Sequence, residues 1–255
     1  MALLAWLGAG LIGLSLGLLG SGGSTLTVPI LVYLLGQTEK VAITNSLAIV
    51  GGIALAGGLN AAWKKGVDWR SVLVFGLPGM AGTYAGAWLA RFVSGAFQLA
   101  VFAGVMLLAA LFMVRPPRLR SGPSSGRRSP VLVSLDGLLV GTLTGFVGIG
   151  GGFLIVPALV LLGGLPIHLA MGTSLMIIAL NSFTGFYKYL NVLDSLHLAV
   201  DWHVIGLFIV IGSVGSFVGR SLAGRLPQHW LRRIFAVFLF GIGLFILWKN
   251  LPRVI

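Results

Sequence analysis

Long apolar stretches with almost no charge constrain this chain more than any other feature of its sequence. Of the 255 residues, 57% are hydrophobic and only 9% are charged, which is more apolar surface than a soluble domain buries. Five stretches reach or approach the roughly 20 residues that cross a bilayer as a helix: Met1–Leu19, Ala42–Ala62, Ser71–Ala90, Phe97–Val114 and His203–Leu222. The sequence therefore predicts an all-α integral membrane protein with one transmembrane domain, residues 1–255.

Cysteine content and net charge exclude several other classes of protein. The chain has no cysteine, so disulfides, thiol catalysis and a Cys-ligated metal are excluded. The net charge of +12 comes mostly from bases between or beside the apolar stretches, where they set topology and contact anionic lipid. We expect a multi-pass protein of the cell (inner) membrane, with lipids but no nucleic acid as partners. The first stretch lacks the basic start of a cleavable signal peptide.

A basic linker divides the chain. The segment Arg115–Pro130 holds five arginines among prolines, glycines and serines, and it has no core-forming pattern. The positive-inside rule places this linker in the cytoplasm. Residues 1–114 then form a first repeat and residues 131–255 a second.

Glycines recur in the same order on both sides of the linker, which indicates an internal duplication. At a spacing of 128 residues Ser46-Leu47 matches Ser174-Leu175, and after a five-residue insertion Val67-Asp68-Trp69 matches Val200-Asp201-Trp202. At the first spacing Gly13, Gly17, Gly20, Gly22, Gly23, Pro29 and Gly36 fall on Gly141, Gly145, Gly148, Gly150, Gly151, Pro157 and Gly164.

Each half opens with an apolar stretch, a glycine-rich break and a shorter apolar piece, followed by three further spans. If the opening pair is a hairpin, each half has five segments and the halves are inverted; if it is one broken span, the halves are parallel. The inverted arrangement, which we prefer, puts Arg225, Arg232 and Arg233 inside, and Lys188, Lys249 and Arg253 outside. It predicts that both termini face away from the cytoplasmic linker.

The two breaks are the first candidates for a binding site. Non-helical backbone at membrane depth survives only inside protein or beside a water-filled cavity. The helix after each break offers free N–H groups and a positive dipole end to an anion, and paired interruptions are typical of transporter sites. The residues are Gly22, Gly23, Ser24, Gly150, Gly151 and Gly152. The alternative is that glycine only permits tight helix packing, which we expect for Gly13/Gly17, Gly82/Gly86, Gly141/Gly145 and Gly215/Gly219.

Polar residues within the spans are further candidates. Asn45-Ser46 and Thr173-Ser174 hold equivalent positions, and Asn181 is the most interior amide. Their donors are suited to replace the hydration shell of an oxyanion in the space between the breaks; capping or interhelical hydrogen bonding is the alternative. The acids sit near segment ends and the histidines flank loops, so we expect no catalytic residue, no metal and no cofactor.

The motifs GLLGSGGSTLTVP…NSL and GFVGIGGGFLIVP…GTSL resemble those of the TauE/SafE family of sulfite exporters. The likeness spans nearly the whole chain. The first half departs from the glycine run at Ser21 and Ser24, which would make the two half-sites unequal. The resemblance implies a secondary transporter that exports sulfite or an organosulfonate such as sulfoacetate, by alternating access.

The residues themselves indicate only a small anionic solute. An anion channel and a transporter of another small solute stay open as alternatives. A membrane enzyme acting on lipids is disfavoured because such chemistry needs positioned acid and base groups. The P-loop pattern is absent from the sequence, so energy for transport would come from a gradient.

Overall fold

The computed structural model describes residues 2–19, 22–114, 129–148, 152–161, 164–223 and 228–250. Within these ranges the chain forms ten helical segments and no strand. In the first half they are α1 (Ala2–Leu19), α2 (Gly22–Leu26, Thr27–Pro29 and Ile30–Leu34 in succession), α3 (Glu39–Trp63), α4 (Trp69–Phe92) and α5 (Gly95–Val114). In the second half they are α6 (Pro130–Val147), α7 (Gly152–Leu161), α8 (Ile167–Ser195), α9 (Trp202–Ala223) and α10 (Gln228–Asn250).

The helices have the length and composition of membrane spans. In α3, α4, α6, α8 and α9 the described residues are long and apolar enough to cross a bilayer. Large apolar side chains cover the exterior, including Leu59, Val210 and Val237, which are 56%, 66% and 71% exposed. Such a surface is stable against lipid and not against water. The fold confirms the predicted all-α, multi-pass membrane protein.

The opening pair of the first half is a hairpin. A Cβ atom on Gly8 of α1 would lie 2.9 Å from Cγ2 of Ile30, so α2 folds back along α1 toward its beginning. This geometry belongs to the five-segment alternative and not to a single broken span.

The equivalent helices α3 and α8 pack against each other in opposite directions. A Cβ on Gly51 would contact Ser182, whereas one on Gly58 would contact Met176, so residue numbers rise along one helix as they fall along the other. The two helices meet near their midpoints. Two further pairs, α1 with α9 and α4 with α6, run parallel. The inversion of the two halves across a membrane stays a prediction, which these directions support.

Glycines bring the parallel pairs into backbone contact. A Cβ on Gly86 of α4 would lie 2.1 Å from the carbonyl oxygen of Thr142 in α6. A Cβ on Gly141 of α6 would lie equally close to the carbonyl oxygen of Gly79 in α4. Across α1 and α9, a Cβ on Gly13 would lie 2.2 Å from the Gly212 oxygen. The predicted packing role of these small residues is confirmed, since any side chain would force the helices apart.

We expect Gly86→Ala to lower the melting temperature of the detergent-solubilised protein by several degrees. The added methyl group meets the Thr142 carbonyl, and overpacking of this kind costs about 1–3 kcal/mol. Gly104→Ala is the matched control, because a Cβ on Gly104 has no atom within 4 Å. Equal melting temperatures for the two variants would contradict close α4–α6 packing.

The helix directions place the end of α5 and the end of α10 at opposite ends of the bundle. The start of α3 contacts the start of α5, since a Cβ on Gly95 would lie 2.6 Å from the Glu39 Cβ. The helix α5 therefore ends on the side of the basic α3–α4 loop that carries Lys64 and Lys65, whereas Asn250 at the end of α10 bonds Tyr33 of α2 on the other side. We call the side where α5 ends the linker end of the bundle.

A reporter fused after Ile255 tests this topology. We expect it to read as extracytoplasmic, because the five linker arginines and the α3–α4 loop favour a cytoplasmic linker end. A fusion after Lys65 serves as the opposite control and should read as cytoplasmic. Two cytoplasmic signals would overturn the inverted arrangement.

Candidate functional site

The described residues of the glycine-rich breaks lie at the starts of the two short helices. Of the predicted break residues, Gly22, Gly23 and Ser24 form the first turn of α2, and Gly152 begins α7; Ser24 and Gly152 are buried. The first turn of α2 contacts α7, so the structure brings the two short helices together. Gly150 and Gly151 lie outside the described residues.

Ser46 of the first half reaches the break of the second half. Its hydroxyl donates a 2.7 Å hydrogen bond to the carbonyl of Gly148, which ends α6. Gly148 has a φ of +76°, and a Cβ there would lie 2.2 Å from Ile43. Both the left-handed backbone and the close approach of α3 require glycine at this position.

Two more side chains hold the end of α6. The Gln98 amide of α5 donates to the Phe146 carbonyl at 2.6 Å and to the Tyr189 hydroxyl at 2.8 Å. The Tyr189 hydroxyl of α8 lies 3.1 Å from the same carbonyl. We call this arrangement, Ser46, Gln98 and Tyr189 around the Phe146 and Gly148 carbonyls, the α6 clamp. It satisfies carbonyls that have no partner within the helix and that lipid cannot satisfy.

The α6 clamp has no described counterpart in the first half. At the 128-residue spacing Ala61 corresponds to Tyr189, and Ser174 donates to its own helix at the Met171 carbonyl, 2.9 Å away. Sequence reasoning missed Gln98 and Tyr189. The available signal was a lone amide in the apolar stretch Phe97–Val114.

The other predicted polar residues separate toward the two ends of the bundle. Asn45 donates to the Gln37 side chain at 3.0 Å, and the Thr173 hydroxyl accepts the Asp68 N–H at 2.9 Å, tying α8 to the α3–α4 loop. From the α3–α8 register, the segments at Ser46 and Ser174 lie roughly 20 Å apart along the helices, at 1.5 Å per residue. The structure does not bring both pairs into one space, and their part in binding stays a prediction.

Asn181 occupies the centre of the bundle. Among the described residues, neither its amide nitrogen nor its oxygen has a hydrogen-bond partner, although the residue is 0% exposed, and the neighbouring Ser182 hydroxyl also has none there. A Cβ on Gly79 of α4 would lie 3.0 Å from the Asn181 nitrogen, so glycine leaves the amide its space. Each unpaired buried group costs about 1–3 kcal/mol, which is expected at a site that binds a ligand.

The segment of α4 beside Asn181 is irregular. Residues Val72–Gly76 form a π-helical turn, and Pro78 follows without an N–H to donate. The Val74 carbonyl instead accepts from the Ser134 hydroxyl of α6 at 2.9 Å. Turns of this kind recur at functional sites, and this one ends three residues before Gly79, the α4 contact of Asn181.

Amides, hydroxyls and backbone groups therefore make up the polar interior. In the described ranges no three His, Cys, Asp or Glu residues are placed to hold a metal ion. Amide N–H groups and hydroxyls donate hydrogen bonds without carrying charge, which suits a small oxyanion that must also be released. The fold and this centre define a multi-pass helical membrane protein with an internal polar site.

Comparison with known proteins places the chain in a family. The family model "Sulfite exporter TauE/SafE" matches residues 5–246, so the chain belongs to the TauE/SafE family of membrane transporters. This confirms the resemblance seen in the glycine motifs.

Several relatives are similar along most of their length. A "Probable membrane transporter protein" of Xylella fastidiosa is 36% identical over 249 residues, 94% of this chain and 93% of its own. One from Methanocaldococcus jannaschii is 25% identical over 253 residues, 93% of each chain. The Arabidopsis thaliana "Sulfite exporter TauE/SafE family protein 1" is 29% identical over 117 residues, 46% of this chain and 25% of its own. No solved structure matches the chain.

The α6 clamp should behave as a coupled unit. We expect Gln98→Leu to destabilise the protein by about 1–3 kcal/mol, because it leaves the Phe146 carbonyl with fewer donors. Tyr189→Phe should destabilise the protein less. The change in unfolding free energy of the double variant should differ from the sum of the two single changes by about 0.5 kcal/mol or more. Unfolding of the four proteins in detergent measures this.

Thr184→Val is the control for the clamp. The Thr184 hydroxyl donates to the Leu180 carbonyl of its own helix, at 2.8 Å. Loss of this hydroxyl should therefore change the free energy of unfolding little. Additive effects of Gln98→Leu and Tyr189→Phe would show that the clamp residues act separately.

Proposed function

We propose that this protein exports a small oxyanion, sulfite or an organosulfonate such as sulfoacetate, by alternating access. The observation that carries the proposal is the Asn181 amide, buried midway along α8 without a hydrogen-bond partner in the described part of the chain. An amide N–H and the adjacent Ser182 hydroxyl are donors that replace water around sulfur-bound oxygens. The Arabidopsis relative, a sulfite exporter family protein by name, supports a sulfite-type anion.

The proposed solute site is centred on Asn181, between the glycine-rich breaks. It draws on the backbone of Gly22, Gly23 and Ser24 and of Gly150, Gly151 and Gly152, as the motifs predict. The contact between the first turn of α2 and α7 supports this convergence.

The two outer polar pairs suit the access paths. Asn45-Ser46 and Thr173-Ser174 lie on opposite sides of Asn181 along the α3–α8 pair, each displaced by roughly 10 Å. An anion leaving the centre in either direction would meet one pair. Antiparallel α3 and α8 support an inverted repeat, in which one half rocks against the other around a fixed central site.

The α6 clamp makes the two paths unequal. Ser46, Gln98 and Tyr189 hold the break toward the end opposite the linker. With the linker in the cytoplasm, this clamp would close the extracytoplasmic path, and opening it would release the solute outward.

Flux in proteoliposomes tests the function. We expect the parent protein to transport sulfite or sulfoacetate with saturation and counterflow, in preference to thiosulfate and sulfate. Single-channel currents would instead indicate an anion channel. Flux of none of the four anions would overturn the proposal.

Asn181→Leu tests the site within the same assay. We expect at least a tenfold loss of flux (about 1.4 kcal/mol) together with an unchanged or higher melting temperature, because leucine removes an unpaired buried amide. Asn191→Leu, an exposed asparagine of the same helix, is the matched control and should transport normally. A folded Asn181→Leu that transports as the parent does would exclude Asn181 from the site.

A further inference from the structure

The face of α8 that carries Asn181 continues away from the linker end with Gly185 and Lys188. These residues have the i, i+4, i+7 spacing of one helix face, and each lies against α4. Asn181 adjoins Gly79, and a Cβ on Gly185 would lie 3.1 Å from the Thr83 methyl group. The Lys188 ammonium lies 4.9 Å from the centre of the Tyr84 ring. The row leads from the unpaired amide toward the extracytoplasmic end proposed above.

Placing Asn181 at the bilayer midplane puts Lys188 within the hydrocarbon core. Asn181 is at the midpoint of α8, and Lys188 is seven residues further, roughly 10 Å along the axis. Half the hydrocarbon core is roughly 15 Å thick, so the Lys188 backbone begins inside it. A lysine at such a depth is costly, and it marks a solute pathway more often than a lipid anchor.

The partner of this charge is weak. Lys188 is half-buried, and within the described part of the chain its ammonium contacts the Tyr84 ring and forms no ion pair with a carboxylate. A cation–π contact holds an ammonium in place without neutralising it. For an anion beside Tyr84, the attraction to the ammonium would therefore be stronger than the cation–π contact that is lost.

Lys249 provides a contrast at the same end of the bundle. Its ammonium also lies over aromatic rings, 4.7 Å from the centre of Tyr33 and 5.8 Å from that of Phe245. The neighbouring amide, Asn250, is already bonded to the Tyr33 hydroxyl and to the Ile246 carbonyl. Lys249 thus shares the cation–π contact but adjoins no unpaired polar group.

We propose that Lys188 and Tyr84 form an outer oxyanion site on the path between Asn181 and the extracytoplasmic surface. Lys188 leaves the ring and pairs with the sulfite or sulfonate group as the solute moves past Gly185. This site rests on the proposed anion export and adds a residue that determines the affinity on one side of the membrane.

Sided transport measurements test the outer site. In right-side-out and inside-out vesicles, sulfite and sulfoacetate are titrated on each face against labelled anion on the other. We expect Lys188→Gln to raise the half-saturating concentration on the extracytoplasmic face by about tenfold while the cytoplasmic value stays the same. Lys188→Arg should retain the parent value, and Lys249→Gln should be unchanged on both faces.

Tyr84→Leu separates an anion site from a structural contact. Without the ring the ammonium is free for the anion, so the extracytoplasmic half-saturating concentration should fall, by roughly threefold. A contact needed only for folding would instead lower the melting temperature and the flux together in Lys188→Gln and Tyr84→Leu, and that result would overturn the proposal. Parent-like values for Lys188→Gln on both faces would also overturn it. Absence of flux in the parent would instead refute the exported substrate.

Discussion

Backbone hydrogen bonding is the constraint on which the rest of this structure depends. A bilayer offers no partner to a free N–H or C=O group, so every interruption of a helix must be completed by protein. The end of α6 meets this need with side chains from three other helices, Ser46, Gln98 and Tyr189. In α4, where Pro78 cannot donate, the Ser134 hydroxyl bonds the Val74 carbonyl. These two irregular segments are thus located where neighbouring helices carry donors.

Close helix packing follows from the same constraint. A short hydroxyl side chain of one helix can bond the carbonyl of another only if the two backbones nearly touch, and glycine makes this possible. Thr83 illustrates the connection, since its hydroxyl donates to the Gly141 carbonyl at 3.1 Å while its own carbonyl lies against Gly145. The glycine rows therefore set the distance at which the polar bonds between helices form.

Much of the fold was readable from the sequence, because it depends on patterns of length and spacing. Apolar length predicts the spans, and the 128-residue spacing predicts two equivalent halves. The position of Ser46 beside a break was also anticipated by the motif, although its partner Gly148 belongs to the other half. Gln98 and Tyr189 were not found, since they meet Phe146 across separations of 48 and 43 residues, which local patterns do not encode.

Equivalence in sequence was misleading about distance. Asn45-Ser46 and Thr173-Ser174 are related by the duplication, and this relation is the basis for predicting that both pairs line one space. In an antiparallel pair such as α3 and α8, equivalent residues coincide only near the crossing point and diverge from it by about 3 Å for each residue of displacement, 1.5 Å along each helix. Asn181 lies near this crossing, so the central position, and not the repeated motif, distinguishes it as a candidate contact.

The two halves share a framework but differ in the polar residues that they place in the interior. Asn181 corresponds to Ile53 and Tyr189 to Ala61 at the 128-residue spacing, so the central amide and the tyrosine of the clamp have apolar counterparts in the first half. A fully symmetric pair of halves would make the two end states equal in free energy. Under the proposed alternating access, the hydrogen bonds that Ser46, Gln98 and Tyr189 donate to α6 would stabilise the state closed at that end. In the described first half no equivalent set of bonds would stabilise the opposite state, so these few residues would set the free-energy difference between the two.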